Sequence, residues 1–81
     1  MTTDYDIWVD FMTMRNDGRI WTRIKDARSG FVPIVGRHAV VGSEDAYPAV
    51  AQIISVDIEG GIELRVLDGD VDQHRHLLST A

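Results

Sequence analysis

The residues best suited to binding chemistry lie in the first third of the chain, which holds both of its tryptophans. They alternate along two stretches with the pattern of β-strands, so they are predicted to share one outward face. Indole rings beside arginines can stack on nucleic-acid bases, or hold an acidic protein segment through cation–π and bidentate contacts. The predicted partner-binding residues are Trp8, Met12, Arg19, Trp21, Arg23 and Lys25.

This predicted face is expected to be covered, because a patch this apolar is seldom left exposed to solvent. Two interpretations of what covers it are open. In the first, the C-terminal segment folds over it with Val71, Leu77 and Leu78. In the second, the face binds another chain. A protein partner, including a second copy in a two-fold dimer, is then favoured over nucleic acid, because the net charge is −5 and repels phosphates.

The charges are unevenly distributed along the chain. Residues 15–37 hold six basic residues against two acids, whereas residues 38–81 hold two basic residues against eight acids. Arginine and tryptophan also dominate the energetics of protein–protein interfaces. The predicted function is therefore a non-enzymatic protein-interaction module that uses the tryptophan and arginine face, and the alternative is a nucleic-acid-binding module that uses the same face.

Catalytic and cofactor chemistry is not indicated by the sequence. None of the four serines stands in a nucleophile-elbow context, and no glycine-rich phosphate loop precedes a helix. The chain has no cysteine, which excludes thiol catalysis and thiolate metal ligands. Neither catalytic residues nor a cofactor is predicted.

Two segments match metal-binding patterns only in part. Residues 68–72 begin like a calcium loop, but Gln73 stands where that loop needs glycine and Ser79 where it needs glutamate. His74 and His76 could offer two ligands, but His38 is distant in sequence and no third ligand is apparent. A solvated turn and surface histidines are predicted, with no metal site.

Length and composition predict one small domain over residues 1–81. The chain lacks an apolar run of membrane-spanning length, and its first residues lack the basic region and apolar core of a signal peptide. The absence of cysteine fits a reducing compartment. A cytoplasmic protein without membrane association is therefore expected.

The elements that position the binding residues begin with a predicted hairpin. Residues 5–13 and 19–25 alternate between polar and apolar side chains, and the Asp-Gly pair at residues 17–18 is a strong two-residue turn signal. Centring the turn there places Phe11 opposite Ile24. In that register apolar residues meet apolar residues, and a slip of one residue would reverse both faces.

Three further strands are predicted at residues 38–42, 49–57 and 62–67, with a glycine-rich turn at residues 59–61. Residues 71–78 follow as a short C-terminal helix with Asp70 as its N-cap. The predicted core collects inward residues from all five strands: Ile7, Val9, Phe11, Ile20, Ile24, Val41, Ile54, Val56, Leu64 and Val66.

The runs VGRHAVVG (residues 35–42) and AVAQIISVD (residues 49–57) are joined by a polar turn and followed by a Gly-Gly hairpin. They resemble the central hairpins of Src-homology-3-type small barrels, including the KOW-motif branch found in ribosomal and transcription proteins. The resemblance implies binding of peptides, proteins or nucleic acids, although the joining turn is acidic where a KOW motif usually carries glycine. Five short strands cannot form a sandwich, whereas a barrel removes open sheet edges. The predicted fold is all-β, a single five-stranded Src-homology-3-like small barrel with a short C-terminal helix.

Overall fold

Five β-strands and several short helical turns make up the computed structural model, which describes residues 5–44 and 46–78. The strands are β1 (Ile7–Trp8), β2 (Arg19–Arg23), β3 (His38–Ser43), β4 (Ala46–Val56) and β5 (Gly61–Val66). A helix, α1 (Arg75–Leu78), ends the described chain, and 3₁₀ turns occupy Phe11–Thr13, Ile24–Asp26 and Val71–His74. Asp45 of the predicted polar turn and Ser79 of the calcium-loop comparison lie outside the described residues. Among the described residues, no helix has the length and apolar character needed to span a bilayer.

The strands form one sheet in the order β1-β3-β4-β5-β2, curled into a half-barrel. The predicted all-β class with a short C-terminal helix is confirmed. The strands β3, β4 and β5 follow one another as antiparallel neighbours. In the turn between β4 and β5, Gly60 has a φ of +91° and its backbone N–H donates to the Asp57 carbonyl over 2.9 Å. The predicted glycine-rich turn therefore forms where the left-handed backbone needs glycine.

The predicted hairpin between residues 5–13 and 19–25 is wrong. Strand β1 pairs in parallel with β3, whereas β2 pairs with β5 at the opposite edge of the sheet. Residues 11–13 form a 3₁₀ turn capped by the Asp10 side chain, which accepts from the Met12 backbone N–H over 3.0 Å. Phe11 therefore does not lie opposite Ile24.

The pairing of β2 is explained by what it buries against β5. Ile20 lies opposite Leu64 and Thr22 lies opposite Ile62, and all four side chains are buried. A turn does form near the Asp-Gly pair, but at residues 15–18 and not centred on residues 17–18: the Gly18 N–H donates to the Arg15 carbonyl over 3.0 Å, and the Arg15 N–H donates to the Arg19 carbonyl over 2.9 Å. The local turn signal thus specifies the bend, and the apolar surface of β5 decides which strand pairs with β2.

The core lies on the inner face of the curled sheet. Its buried cluster consists of Ile7, Val9, Ile20, Ala39, Val41, Ala51, Ile53, Ile62 and Leu64. The prediction is confirmed for Ile7, Val9, Ile20, Val41 and Leu64. Phe11 and Val66 are only partly buried and pack against the cluster from its margin.

Three predicted core residues lie outside the core. Ile24 and Val56 are exposed, and Ile54 is half-buried. Strand β4 is apolar on both sides. The prediction placed the side with Ile54 and Val56 inward, whereas the pairing of Ile53 with Leu64 places the side with Ile53 inward. Ile24 belongs to the 3₁₀ turn after β2, so the alternation of that strand does not extend to it.

The outer side of β3 and β4 is covered by the C-terminal segment. Val40 and Val50 are cross-strand partners that alternate with core residues, so they point outward. Val50 is nevertheless fully buried, and residues 71–78 pack against β3 and β4. Asp70 caps this segment, as predicted, and the Gln73 side chain completes a capping box with it. The tail therefore adds a small apolar layer to the outside of the sheet.

Candidate binding site

The outward side of β2 carries three of the six predicted binding residues. Burial alternates strictly along this strand, with Ile20 inward and Arg19, Trp21 and Arg23 outward. Trp21 is 56% exposed, although it lies in the middle of a sheet strand. The described part of the C-terminal segment packs on β3 and β4 instead, so it does not bury this indole.

Strand β5 extends the same surface with two charged residues. Arg65 lies opposite Arg19, and Glu63 lies opposite Trp21. A Cβ added at Gly61 would lie 3.5 Å from Cζ3 of Trp21, so the indole leans across the sheet towards β5. We call the surface formed by Arg19, Trp21, Arg23, Glu63 and Arg65 the Trp21 face.

Glu63 fixes the charge pattern at the centre of the Trp21 face. Its carboxylate accepts from Arg19 Nη1 over 3.4 Å and from Ser55 Oγ over 3.2 Å. Arg23 and Arg65 form no ion pair with any residue that the structure describes. Arg19 is also paired with Asp17 over 3.6 Å, so the positive charge of the face on a chain of net charge −5 comes from Arg23 and Arg65.

The other three predicted binding residues do not lie on β2 or β5. Lys25 lies in the 3₁₀ turn after β2, and Met12 lies in the turn at residues 11–13 with 92% of its surface exposed. Trp8 is half-buried on β1, where it lines two small cavities of about 230 and 220 Å³. The curl of the sheet does bring β1 near β2, because Thr22 Oγ1 donates to the Trp8 carbonyl over 3.0 Å. This contact lies on the inner side of β2, and the hairpin that was predicted to place both indoles on one surface does not form.

Sequence reasoning missed Glu63 and Arg65 as members of the face. Both were recognisable as outward residues of β5 from its alternation. Their position beside Trp21 depends on the pairing of β5 with β2, which no local pattern specifies.

The residues of the partial calcium loop are used within their own turn. The Asp70 carboxylate accepts from the Gln73 backbone N–H over 3.2 Å, and Asp72 forms an ion pair with Arg75. Across the described ranges, no three His, Asp or Glu side chains have an arrangement that could hold a metal ion.

The three histidines lie near one another in the structure, although His38 is far from His74 and His76 in the sequence. Partial burial lowers the pKa of His38 on β3, and the nearby charges of His74 and His76 lower it further. His74 Nε2 also lies 2.6 Å from the Asp68 carbonyl oxygen. Docking of the C-terminal segment against β3 produces this cluster, so the sequence spacing did not reveal it.

We expect the melting temperature of the native chain to fall more between pH 7.5 and pH 5 than that of a His38→Gln variant. Because the pKa of His38 is lowered by folding, the unfolded chain binds this proton more readily. The stability that the folded state gains while His38 is neutral is fully present above the ordinary histidine pKa of about 6.5. It is lost as the pH falls through the lower pKa of the folded state. Thermal unfolding at both pH values checks this, and an equal fall for both proteins would contradict it.

Comparison of the chain with protein-family models, with curated proteins and with solved structures found no match. The resemblance to Src-homology-3-type barrels therefore stays a prediction. The geometry and charge of the Trp21 face are the features that bear on function.

Proposed function

We propose that the protein is a non-enzymatic binding module whose Trp21 face holds an acidic segment of a partner protein. One observation carries the proposal. Trp21 is 56% exposed between two arginines, on a strand whose opposite side is buried in the core. Folding gains little from an indole in that position, whereas a partner chain that covers it gains a large apolar contact.

The charges of the face support an acidic partner. Arginine presents a planar fork of donors that matches a carboxylate, and Arg23 and Arg65 have no carboxylate partner among the described residues. Since residues 38–81 hold eight acids against two basic residues, an acidic segment is attracted to the arginines of this face and repelled by most of that half of the chain. Such complementarity sets the orientation of binding and raises its rate.

A second copy of the chain fits the face less well than an acidic segment. In a two-fold dimer each face meets its own copy, so the three arginines of one face would approach the three of the other. Like charges placed opposite one another destabilise such a contact. Sedimentation at high protein concentration tests this point. A stable dimer that dissociates in the Trp21→Ala variant would show self-association in place of an acidic partner.

Nucleic-acid binding is the second candidate function, and the exposed indole between arginines is the observation that favours it. Bases stack on such rings without sequence preference. The opposing consideration is the net charge of −5, which repels the phosphate backbone. Titration with a single-stranded oligonucleotide at two salt concentrations tests this candidate: binding whose log affinity falls with log salt supports it, and no binding favours the protein partner.

We expect Trp21→Ala to weaken binding of an acidic peptide at least about fivefold, the cost of losing an interface residue worth more than 1 kcal/mol. The probe is a capped pentapeptide of alternating glutamate and tyrosine, compared by calorimetry with the same peptide carrying glutamine. Tyr47→Ala is the matched control, since it removes an exposed aromatic side chain from the part of β4 that does not pair with β5. Equal binding of the two peptides, or unchanged binding by the Trp21 variant, would contradict the proposed function.

A further inference from the structure

A second concave surface lies between the start of β4 and the turn that precedes the C-terminal segment. It is lined by Tyr47, Pro48, Ala49 and residues 69–72, and its volume is about 500 Å³. That volume lies within the range of ligand pockets. The Trp21 face lies on β2 and β5, so the two surfaces involve different residues.

The aromatic wall of this groove has no evident role in folding. The Tyr47 side chain is 94% exposed, and its hydroxyl forms no hydrogen bond with the described residues. Pro48 and Val71 continue the apolar wall and are half-buried. The exposed Tyr47 ring beside this apolar wall is accessible to whatever enters the groove.

The polar wall of the groove is acidic. Asp70 uses Oδ1 to cap the 3₁₀ turn, which leaves its other oxygen open to a second donor. Asp72 is paired with Arg75 in a solvent-exposed ion pair, and such pairs contribute little and exchange readily. Residues 38–81, which supply the whole groove, hold eight acids against two basic residues.

We propose that this groove binds a cationic side chain, arginine or lysine, carried on a segment of a partner protein. The cation lies over the Tyr47 ring, where the quadrupole of the ring attracts it. The carboxylates of Asp70 and Asp72 accept its hydrogen bonds, and Pro48 and Val71 contact its aliphatic stem. Charge complementarity selects this occupant, because an acidic or neutral segment gains nothing from the two carboxylates.

The test uses two capped pentapeptides, one alternating alanine with arginine and one with citrulline, which is neutral and of the same shape. Chemical shifts of labelled native protein are expected to move at Tyr47 and Val71 with the arginine peptide. The citrulline peptide should bind at least about fivefold more weakly. We expect Tyr47→Ala and Asp72→Asn each to weaken binding about two- to fivefold, and Tyr47→Phe to retain it.

Glu59→Gln is the matched control, because it removes one exposed charge at the far end of β4. Equal binding of the two peptides would overturn the proposal, as would equal weakening by Glu59→Gln and Asp72→Asn, which indicates attraction to the acidic body as a whole. Unchanged binding by Tyr47→Ala would also overturn it. The Trp21→Ala variant should bind the arginine peptide normally, so this site stands or falls separately from the Trp21 face.

Discussion

Replacing Leu64 with alanine is expected to lower the free energy of unfolding by about 2–5 kcal/mol. Leu64 is fully buried on β5 and lies opposite Ile53 of β4 and Ile20 of β2, so it links both neighbouring strands to the core. A domain of this length has roughly 4–12 kcal/mol of total stability. The variant should therefore be largely unfolded at temperatures where the native chain is folded, which urea and thermal unfolding will show.

Two comparison variants make this prediction specific to the core. Val32→Ala changes an exposed side chain and should alter the stability by less than about 0.5 kcal/mol. Phe11→Ala removes a larger ring, but Phe11 lies at the margin of the core and not inside it. We expect it to cost less than Leu64→Ala, and the reverse order would show that Phe11 is a central core residue.

Gly18→Ala is expected to destabilise the fold by about 1–3 kcal/mol from its backbone conformation alone. Gly18 has a φ of +85°, in the left-handed region that favours glycine. An added Cβ would lie 2.8 Å from the Val66 carbonyl oxygen, which belongs to the backbone of β5. Relieving that clash must displace β2 from β5, because Val66 N–H also donates to the Gly18 carbonyl over 2.8 Å.

Gly30→Ala separates the conformational cost from the steric one. Gly30 has nearly the same φ, +86°, but a Cβ there meets no atom within 4 Å. Chemical denaturation should therefore show a larger loss of stability for Gly18→Ala than for Gly30→Ala. Equal losses of stability would mean that the backbone of β5 near Val66 can move away from the added Cβ without destabilising the fold further.

The sequence predicted best those elements whose signals are local. The strands β3, β4 and β5, the turn at Gly60 and the capped C-terminal segment each follow from neighbouring residues. The pairing of β1 and β2 does not, because the Asp-Gly turn before β2 specifies a bend, whereas the burial of Ile20 and Thr22 against a distant strand selects the partner. The inward side of β4 was also misassigned, since both of its sides are apolar.

The candidate site was predictable to the same extent as the strands beneath it. Alternation alone places Arg19, Trp21 and Arg23 on one side of β2, and the structure agrees. Adding Trp8 required the local hairpin, and adding Arg65 required the pairing with β5. The hairpin was predicted and did not form, whereas the pairing of β2 with β5 formed without a sequence signal.

The strand order also determines when each part of the fold can form during synthesis. Strand β1 pairs with β3, and β2 pairs with β5, so both early strands leave the ribosome before their partners exist. Only β3, β4 and β5 are neighbours in both sequence and space, which makes this later-made half the template for the earlier one. Until residues 61–66 have been synthesised, β2 stays unpaired and its apolar side chains remain accessible to other chains, the condition in which nascent proteins aggregate.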